Sequence, residues 1–197
     1  MPRKQEVNQQ IRDERRERIL RVAAAIFAEK GIAAIKIGEL AEAAGMSQGL
    51  LYRYFSSKEE IFAVLVEKAV HSLIRPMHDI LADTDKSAAE RLHDLTRLML
   101  DDIQACSQRH RLISQAQALP GQTKEALAEM GNYLQQGLCQ LIVAGQQEKK
   151  IRNGDPNRLC VLYLSTLQGL AASLHLFGQP IRDYFPDVDT VYRLLEA

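Results

Sequence analysis

The chain has 197 residues, 46% of them hydrophobic, with 25 Lys and Arg balanced by 25 Asp and Glu. That length supports one or two globular domains with a buried core, and the balanced charge supplies no overall basic excess that would point to nucleic acid. Three cysteines, Cys106, Cys139 and Cys160, are an odd number on separate apolar stretches, which excludes a disulfide framework or a zinc-ribbon spacing and suits a reducing cytoplasm.

The polar and charged start of the chain predicts no signal peptide, and no uninterrupted apolar run reaches the ~20 residues of a bilayer span. A cytoplasmic protein without a membrane segment is expected. Charge is unevenly spread: residues 1–58 hold 11 Lys and Arg against 7 Asp and Glu. Residues 1–10, with Pro2, Arg3 and Lys4, read as an unstructured arm, either a reach toward phosphates or the minor groove or a plain tail. A helix follows from Ile11 to Lys30, where Ile19, Leu20, Ala23, Ile26 and Phe27 recur at three- and four-residue steps. Gly31 ends it.

The second helix begins near Ile37 and buries Ile37, Leu40, Ala41 and Ala44. Gly45 sits where the chain must reverse at positive φ, and Met46 fills the corner. Ser47 is the N-cap of a third helix, whose inner face is Leu51 and Phe55. Its outer face offers Gln48, Gly49, Leu50, Tyr52, Arg53 and Tyr54. Helix, glycine turn and helix is the helix-turn-helix pattern. The competing reading is an αα-hairpin in a bundle, but two tyrosines, a glutamine, an arginine and a glycine give little to a core and suit base edges and phosphates.

The run from Ile19 to Phe62 resembles the DNA-binding domain of the TetR (tetracycline-repressor) family of bacterial transcriptional regulators. The matching stretches are FAEKG, ELAEAAGMSQGLLYRYF and SSKEEIF, with Gly45, Ser47, Gly49, Tyr52, Phe55 and Lys58 in register. The resemblance makes Gln48 to Tyr54 the recognition helix. It implies Gln48, Gly49 and Leu50 at base edges, and Tyr52 and Tyr54 at phosphates. Lys58 would pair with a phosphate at a helix start, where the dipole favours anions. Ser47 and Arg53 complete the expected surface. The chain departs from the family at Ile35 and Lys36, where a Ser or Thr cap is usual, and at Gly38, which has no side chain to send into a groove. Lys36 would supply a phosphate charge instead.

A fourth helix runs from Lys58 toward Arg75, with Pro76 ending or kinking it. Beyond it the pattern is helical throughout: Asp85–Ser107, His110–Leu119 stopped by Pro120-Gly121, Thr123–Ile151, Pro156–Phe177 and Asp187 to the end. Asn153-Gly154-Asp155-Pro156 is a turn that leaves Asp155 as N-cap. The Pro156–Phe177 segment is apolar nearly all round and should be buried on several sides. Its Gly169, Ala171, Ala172 and Ser173 would admit a close second helix. The expected fold is all-α, with a helix-turn-helix domain over 1–57 and a helical effector-binding and dimerisation domain over 58–197.

By resemblance the last two helices, Pro156–Phe177 and Asp187–Leu195, form a homodimer, placing two recognition helices about 34 Å apart on a palindromic double-stranded operator. The resemblance also implies a small-molecule effector that releases the protein from DNA, and so a ligand-responsive repressor. Polar pocket candidates are Thr96, Gln115, Tyr133, Tyr163 and Gln168, with Met99, Ile103, Leu134 and Leu138 as apolar walls. The slightly acidic second half favours an apolar or cationic effector, and no cofactor is implied. The alternative class is a helical enzyme or metal-sensing protein. Cys106 and His110, near Asp101-Asp102, and His71 with His78 would be its ligands. No four-ligand set, nucleophile elbow, phosphate loop or HExxH supports it.

Overall fold

The computed structural model describes residues 2–105, 107–117 and 122–197. The helices in it are α1 (Pro2–Lys30), α2 (Ile37–Ala43), α3 (Gln48–Leu51), α4 (Lys58–Ala82), α5 (Ala88–Ala105), α6 (Ser107–Gln117), α7 (Gln122–Gln147), α8 (Pro156–Phe177), α9 (Gln179–Arg182) and α10 (Val188–Tyr192), with a 3-10 turn at Ile32–Ala34. Two compact units emerge: residues 1–69 with 111–125, and residues 70–110 with 126–197. Helices α4, α6 and α7 therefore contribute residues to both, whereas the sequence pattern placed its boundary at 57/58.

In the first unit the α1 stripe Ile19, Leu20, Ala23 and Phe27 is buried, as are Leu40 and Ala41 of α2, Leu51 and Phe55 around α3, and Ile61 and Phe62 of α4. Phe27 meets Phe62 edge-on at 5.7 Å between ring centroids, an arrangement that contributes beyond the area buried. From α6, Leu112, Ile113 and Ala116 are buried in addition. Helix α1 starts at Pro2, so the expected arm is helical over its described residues 2–10. Lys, Arg, Gln and Glu are good helix formers and no breaker intervenes before Gly31. The side chains of Arg3 and Lys4 lie outside what is described.

The second unit is built around Leu92, Leu95, Leu138, Ile142, Cys160, Tyr163 and Leu167, which form one hydrophobic cluster with Met77, Val191 and Leu195. Pro76 lies inside α4, which continues to Ala82. A proline there costs about 3 kcal/mol. Burial of Met77 at 3% exposure, with Leu73, Ile80 and Leu81 packed on the same cluster, offsets it at about 1.5–3 kcal/mol per fully buried side chain. The final helix is shorter than the pattern implied: α10 ends at Tyr192, and the tail forms an isolated antiparallel bridge between Ile151 and Glu196. Arg152 N–H donates to Leu195 O at 2.8 Å, tying the tail to the α7–α8 connection.

Helix α8 bears on two expectations and corrects the second. By length and composition it is apolar enough to cross a bilayer, because Ser, Thr, Gly and Gln interrupt the apolar run without lowering mean hydropathy far. It is also buried on one side only, with 28% of its most apolar window inside the chain. Leu159, Cys160, Tyr163, Leu167 and Leu174 face the core, while Val161 and Leu162 stand 57% and 45% exposed.

Candidate nucleic-acid interface

The geometry of this site begins at the α2–α3 turn. Helix α2 ends with Gly45 N–H donating to Glu42 O and Met46 N–H to Ala41 O, with Gly45 at φ +68°. This paired ending needs a left-handed residue, which glycine adopts at no steric cost. A side chain at Gly45 would also meet the Arg18 guanidinium at 2.9 Å. Ser47 then caps α3, its Oγ accepting from Leu50 N–H at 3.2 Å. The helix proper is only Gln48–Leu51, shorter than the Gln48–Tyr54 expected, but Tyr52, Arg53, Tyr54 and Phe55 N–H groups bond back to Gln48, Leu50 and Leu51 carbonyls and hold the next turn.

Burial of Leu51 and Phe55 fixes which side faces out. Ser47, Gln48, Gly49, Tyr52 and Arg53 are exposed, and Leu50 and Tyr54 half-buried. Tyr52 stands 49% exposed, a large aromatic left half open to solvent. A Cβ added at Gly49 would meet nothing within 4 Å. Gln48 carries its Oε1 to 3.4 Å from where a Cβ of Gly38 would lie, so the missing side chain of Gly38 leaves space that Gln48 uses.

The capping departure at α2 has a partial remedy. Lys36 occupies the cap, and its N–H donates to the Glu39 carboxylate at 3.2 Å. A lysine side chain has no acceptor to return the bond, so only half of a capping box is made, and the exposed ammonium stays free of the backbone. Lys58 differs from expectation: its Nζ donates to Ile32 O at 2.8 Å and Ile35 O at 2.7 Å. Two of its three N–H groups hold the 3-10 turn, leaving one for a phosphate. Helix α4 is capped beside it, with Ser57 Oγ accepting from Glu60 N–H and the Glu60 carboxylate accepting from Ser56 N–H and Oγ. Those Ser56 bonds hold the Glu60 carboxyl below its ordinary pKa.

Gln115 was expected in a pocket and is found in the first unit. Its Nε2 donates to Phe27 O at 2.8 Å and its Oε1 accepts from Ile32 N–H at 3.2 Å. One amide thus bridges the two ends of the α1 corner, and with Lys58 on Ile32 O both polar groups of the Ile32 residue are occupied. No local pattern signals this, since the partners lie 83 and 88 residues away.

In the second unit, Ile103, Leu138 and Tyr163 are core members, with Met99 and Leu134 packed against them. Thr96 and Tyr163 are fully buried and bonded at 2.6 Å. Thr96 donates its one hydroxyl proton to Leu92 O at 2.7 Å, so Tyr163 is the donor to Thr96. Burial raises the phenol pKa far above its usual value, with the Thr96 bond acting against the shift. Tyr133 stacks on His78 at 6.5 Å. Gln168 is exposed on the outer face of α8 and does not join this group.

The candidate metal ligands are placed otherwise. Cys106 lies outside the described residues. Asp102 is buried, ion-paired to Arg109 and with its Oδ2 3.0 Å from His110 Nε2. Desolvation, then the Arg109 charge, pushes the His110 pKa down. A guanidinium already neutralises this carboxylate, where a cation would have to sit. Among the described residues no three His, Cys, Asp or Glu side chains converge as metal ligands.

The outer face of α8 is a further unpartnered surface. Val161, Leu162, Ser165, Gln168, Gly169, Ala172 and Leu176 follow one another along it, none of them charged and all exposed. A Cβ on Gly169 would meet nothing within 4 Å.

Comparison with known proteins matches residues 19–65 to the family model of bacterial regulatory proteins, tetR family. The chain is 34% identical over 102 residues to the transcriptional activator FasR of Mycolicibacterium smegmatis, covering 52% of this chain and 46% of that one. It is 32% identical over 122 residues to the transcriptional repressor KstR2 of Mycobacterium tuberculosis, covering 60% of this chain and 59% of that one. The chain thus spans about half the length of the curated relatives it matches. The fold is that of the solved KstR2 structure, a ketosteroid transcriptional regulator, with TM-score 0.76, 22% identity and coverage of 93% and 95%. It is also that of AibR, solved with isovaleryl coenzyme A and operator DNA, with TM-score 0.73, 17% identity and coverage of 91% and 94%.

Proposed function

Because the chain belongs to the TetR family of bacterial regulatory proteins, we propose that it is a ligand-responsive transcriptional repressor of the cytoplasm that binds a palindromic operator as a homodimer and is released by a small molecule. The observation that carries the DNA reading is the outer face of α3. Tyr52 is exposed and Gly49 has no neighbour to accommodate, although glycine in a helix costs about 1 kcal/mol relative to alanine. A bare backbone is what close approach to DNA requires. Gln48 and Leu50 read base edges, Tyr52 and Tyr54 contact phosphates, and Arg53 and Lys36 add charge.

The same logic applies to α8. Its exposed apolar stripe, with Gly169 lacking any neighbour, suits a second copy of itself, and pairing places two reading heads on one operator. Pairing also accounts for an apolar face that water would otherwise meet. The effector is a mainly apolar molecule with a polar group able to replace the Thr96–Tyr163 hydrogen bond among Met99, Ile103, Leu134 and Leu138. It releases DNA only by binding the non-DNA-binding arrangement more tightly.

The test is titration of the chain's own upstream DNA by fluorescence anisotropy across salt concentrations. Tyr52→Ala should lose tenfold or more in affinity. Lys36→Ala should lower the salt slope by about 2 for a dimer, one phosphate contact per subunit. Wild-type affinity in both variants, with an unchanged slope, would sink the assignment of α3 as the reader. Lys58→Ala is a poor probe, because it removes two backbone bonds as well as a charge.

A further inference from the structure

Cys139 on α7 and Cys160 on α8 stand opposite each other within the second unit, and their contacts are reciprocal. The Cys139 thiol lies 3.9 Å from Pro156 O and 3.5 Å from Asn157 Oδ1, residues one helical turn before Cys160. The Cys160 thiol lies 3.7 Å from Gln135 O, one turn before Cys139. Each sulfur is aimed at the turn that carries the other. Cys139 is half-buried and Cys160 fully buried. Two thiols in a core can be simple packing. Here, though, the half-buried Cys139 and the buried Cys160 each face the turn that carries the other.

We propose that Cys139 and Cys160 are an oxidisable dithiol that closes to an intrachain disulfide in the presence of a low-molecular-weight disulfide, clipping α7 to α8. The Cys139 thiolate attacks one sulfur of the reagent, breaking its S–S bond and releasing one thiolate. The Cys160 thiol then gives its proton to that thiolate and attacks the Cys139 sulfur, expelling the second half of the reagent as thiolate, which takes up the proton lost by Cys139. Two protein thiols are oxidised, and one reagent disulfide is reduced to two thiols. Burial, then the contact with Cys139, pushes the Cys160 thiol up to about 12. It therefore stays protonated and does not react first, since the thiolate is the nucleophile. This order assigns Cys139 as the attacking and Cys160 as the resolving thiol. The inference does not depend on the regulator reading.

The experiment uses the full chain, reduced and freed of reductant, incubated without denaturant with oxidised glutathione and then alkylated. Trypsin places Cys106, Cys139 and Cys160 in three different peptides, so every linkage is read by mass spectrometry. The linked Cys139–Cys160 pair should exceed any link to Cys106 by roughly tenfold, and the preference should vanish in concentrated urea, where the local concentration is lost. Cys160→Ser should stop at a glutathione adduct on Cys139, and Cys139→Ser should leave Cys160 unmodified. A native wild-type chain in which Cys139 carries only glutathione, or links to Cys106 in equal yield, overturns the pair. Reaction of Cys160 at the wild-type rate in Cys139→Ser overturns the order.

Discussion

Replacing Gln115 with leucine tests how the corner after α1 is held. The amide meets Phe27 O at 2.8 Å and Ile32 N–H at 3.2 Å, both part-buried. Leucine keeps the bulk and removes both bonds, leaving one donor and one acceptor of the backbone poorly solvated. At about 1 kcal/mol for each group, the loss is ~2 kcal/mol. For a chain of this size that lowers Tm by roughly 4–8 °C. The local readout is native-state hydrogen exchange, where the Ile32 amide should lose protection by about fivefold or more. Ser114→Ala, at the exposed neighbouring position, is the control and should change neither measurement. A Gln115→Leu chain that melts with the parent and keeps its Ile32 protection would refute the bridging role.

Gln115→Glu sharpens the test through pH. A carboxylate still accepts from Ile32 N–H but sets a negative charge against the Phe27 carbonyl, which raises its folded-state pKa. The resulting penalty is present above the unfolded carboxylate pKa and is relieved as pH falls and the acid, once protonated, donates to Phe27 O. The variant should therefore approach wild-type stability on acidification, opposite to what a merely looser core would do.

Leu162→Glu on the outer face of α8 should leave the chain folded and shift it from dimer to monomer in sedimentation equilibrium. Gly169→Leu should do the same, because nothing within the chain opposes its side chain. If both stay dimeric, pairing uses another face. Glu60→Ala probes the α4 cap: the Ser56 bonds hold the Glu60 carboxyl below its usual range, so its contribution is present above the unfolded carboxylate pKa and lost as pH falls through the depressed value. The gap in Tm between wild type and Glu60→Ala should thus close in acid, and a gap independent of pH would contradict this reading.

The reading element was legible because its signals are local. The Gly45 turn, the Ser47 cap and the Leu51–Phe55 spacing each follow from neighbours within a few residues, and the structure realises them with named bonds. Local logic failed where a distant group intervened. Pro76 reads as a breaker until Met77 is seen in the core. Lys58 reads as a free charge until Ile32 and Ile35 carbonyls claim it. Gln115 reads as a pocket candidate in an apolar stretch, and no periodicity could reveal its partners at the end of α1 and in the turn after it. The cysteines show the same limit, since odd count and wide spacing argue against pairing only when helices are not folded back on each other.

Two glycines carry the strongest link from sequence to partner surfaces. Gly49, Gly131 and Gly169 all lie in helices, where glycine costs about 1 kcal/mol against alanine, and beyond its own helical backbone an added Cβ at any of them meets nothing within 4 Å. Gly137 and Gly145 offer the contrast: a side chain there would meet Leu81 at 2.5 Å or Ile151 at 2.4 Å, so packing inside the chain explains them. Of the three, Gly49 and Gly169 lie on the two faces that leave large apolar or aromatic groups in water, Tyr52 beside one and Val161 with Leu162 beside the other. For these two the proposed operator and the proposed second copy supply a return that the chain itself does not. Alanine at either site should therefore stabilise the isolated chain by a few tenths to ~1 kcal/mol, while weakening operator binding at Gly49 and dimerisation at Gly169. A glycine-to-alanine change that stabilises the fold and leaves both associations intact would break the argument.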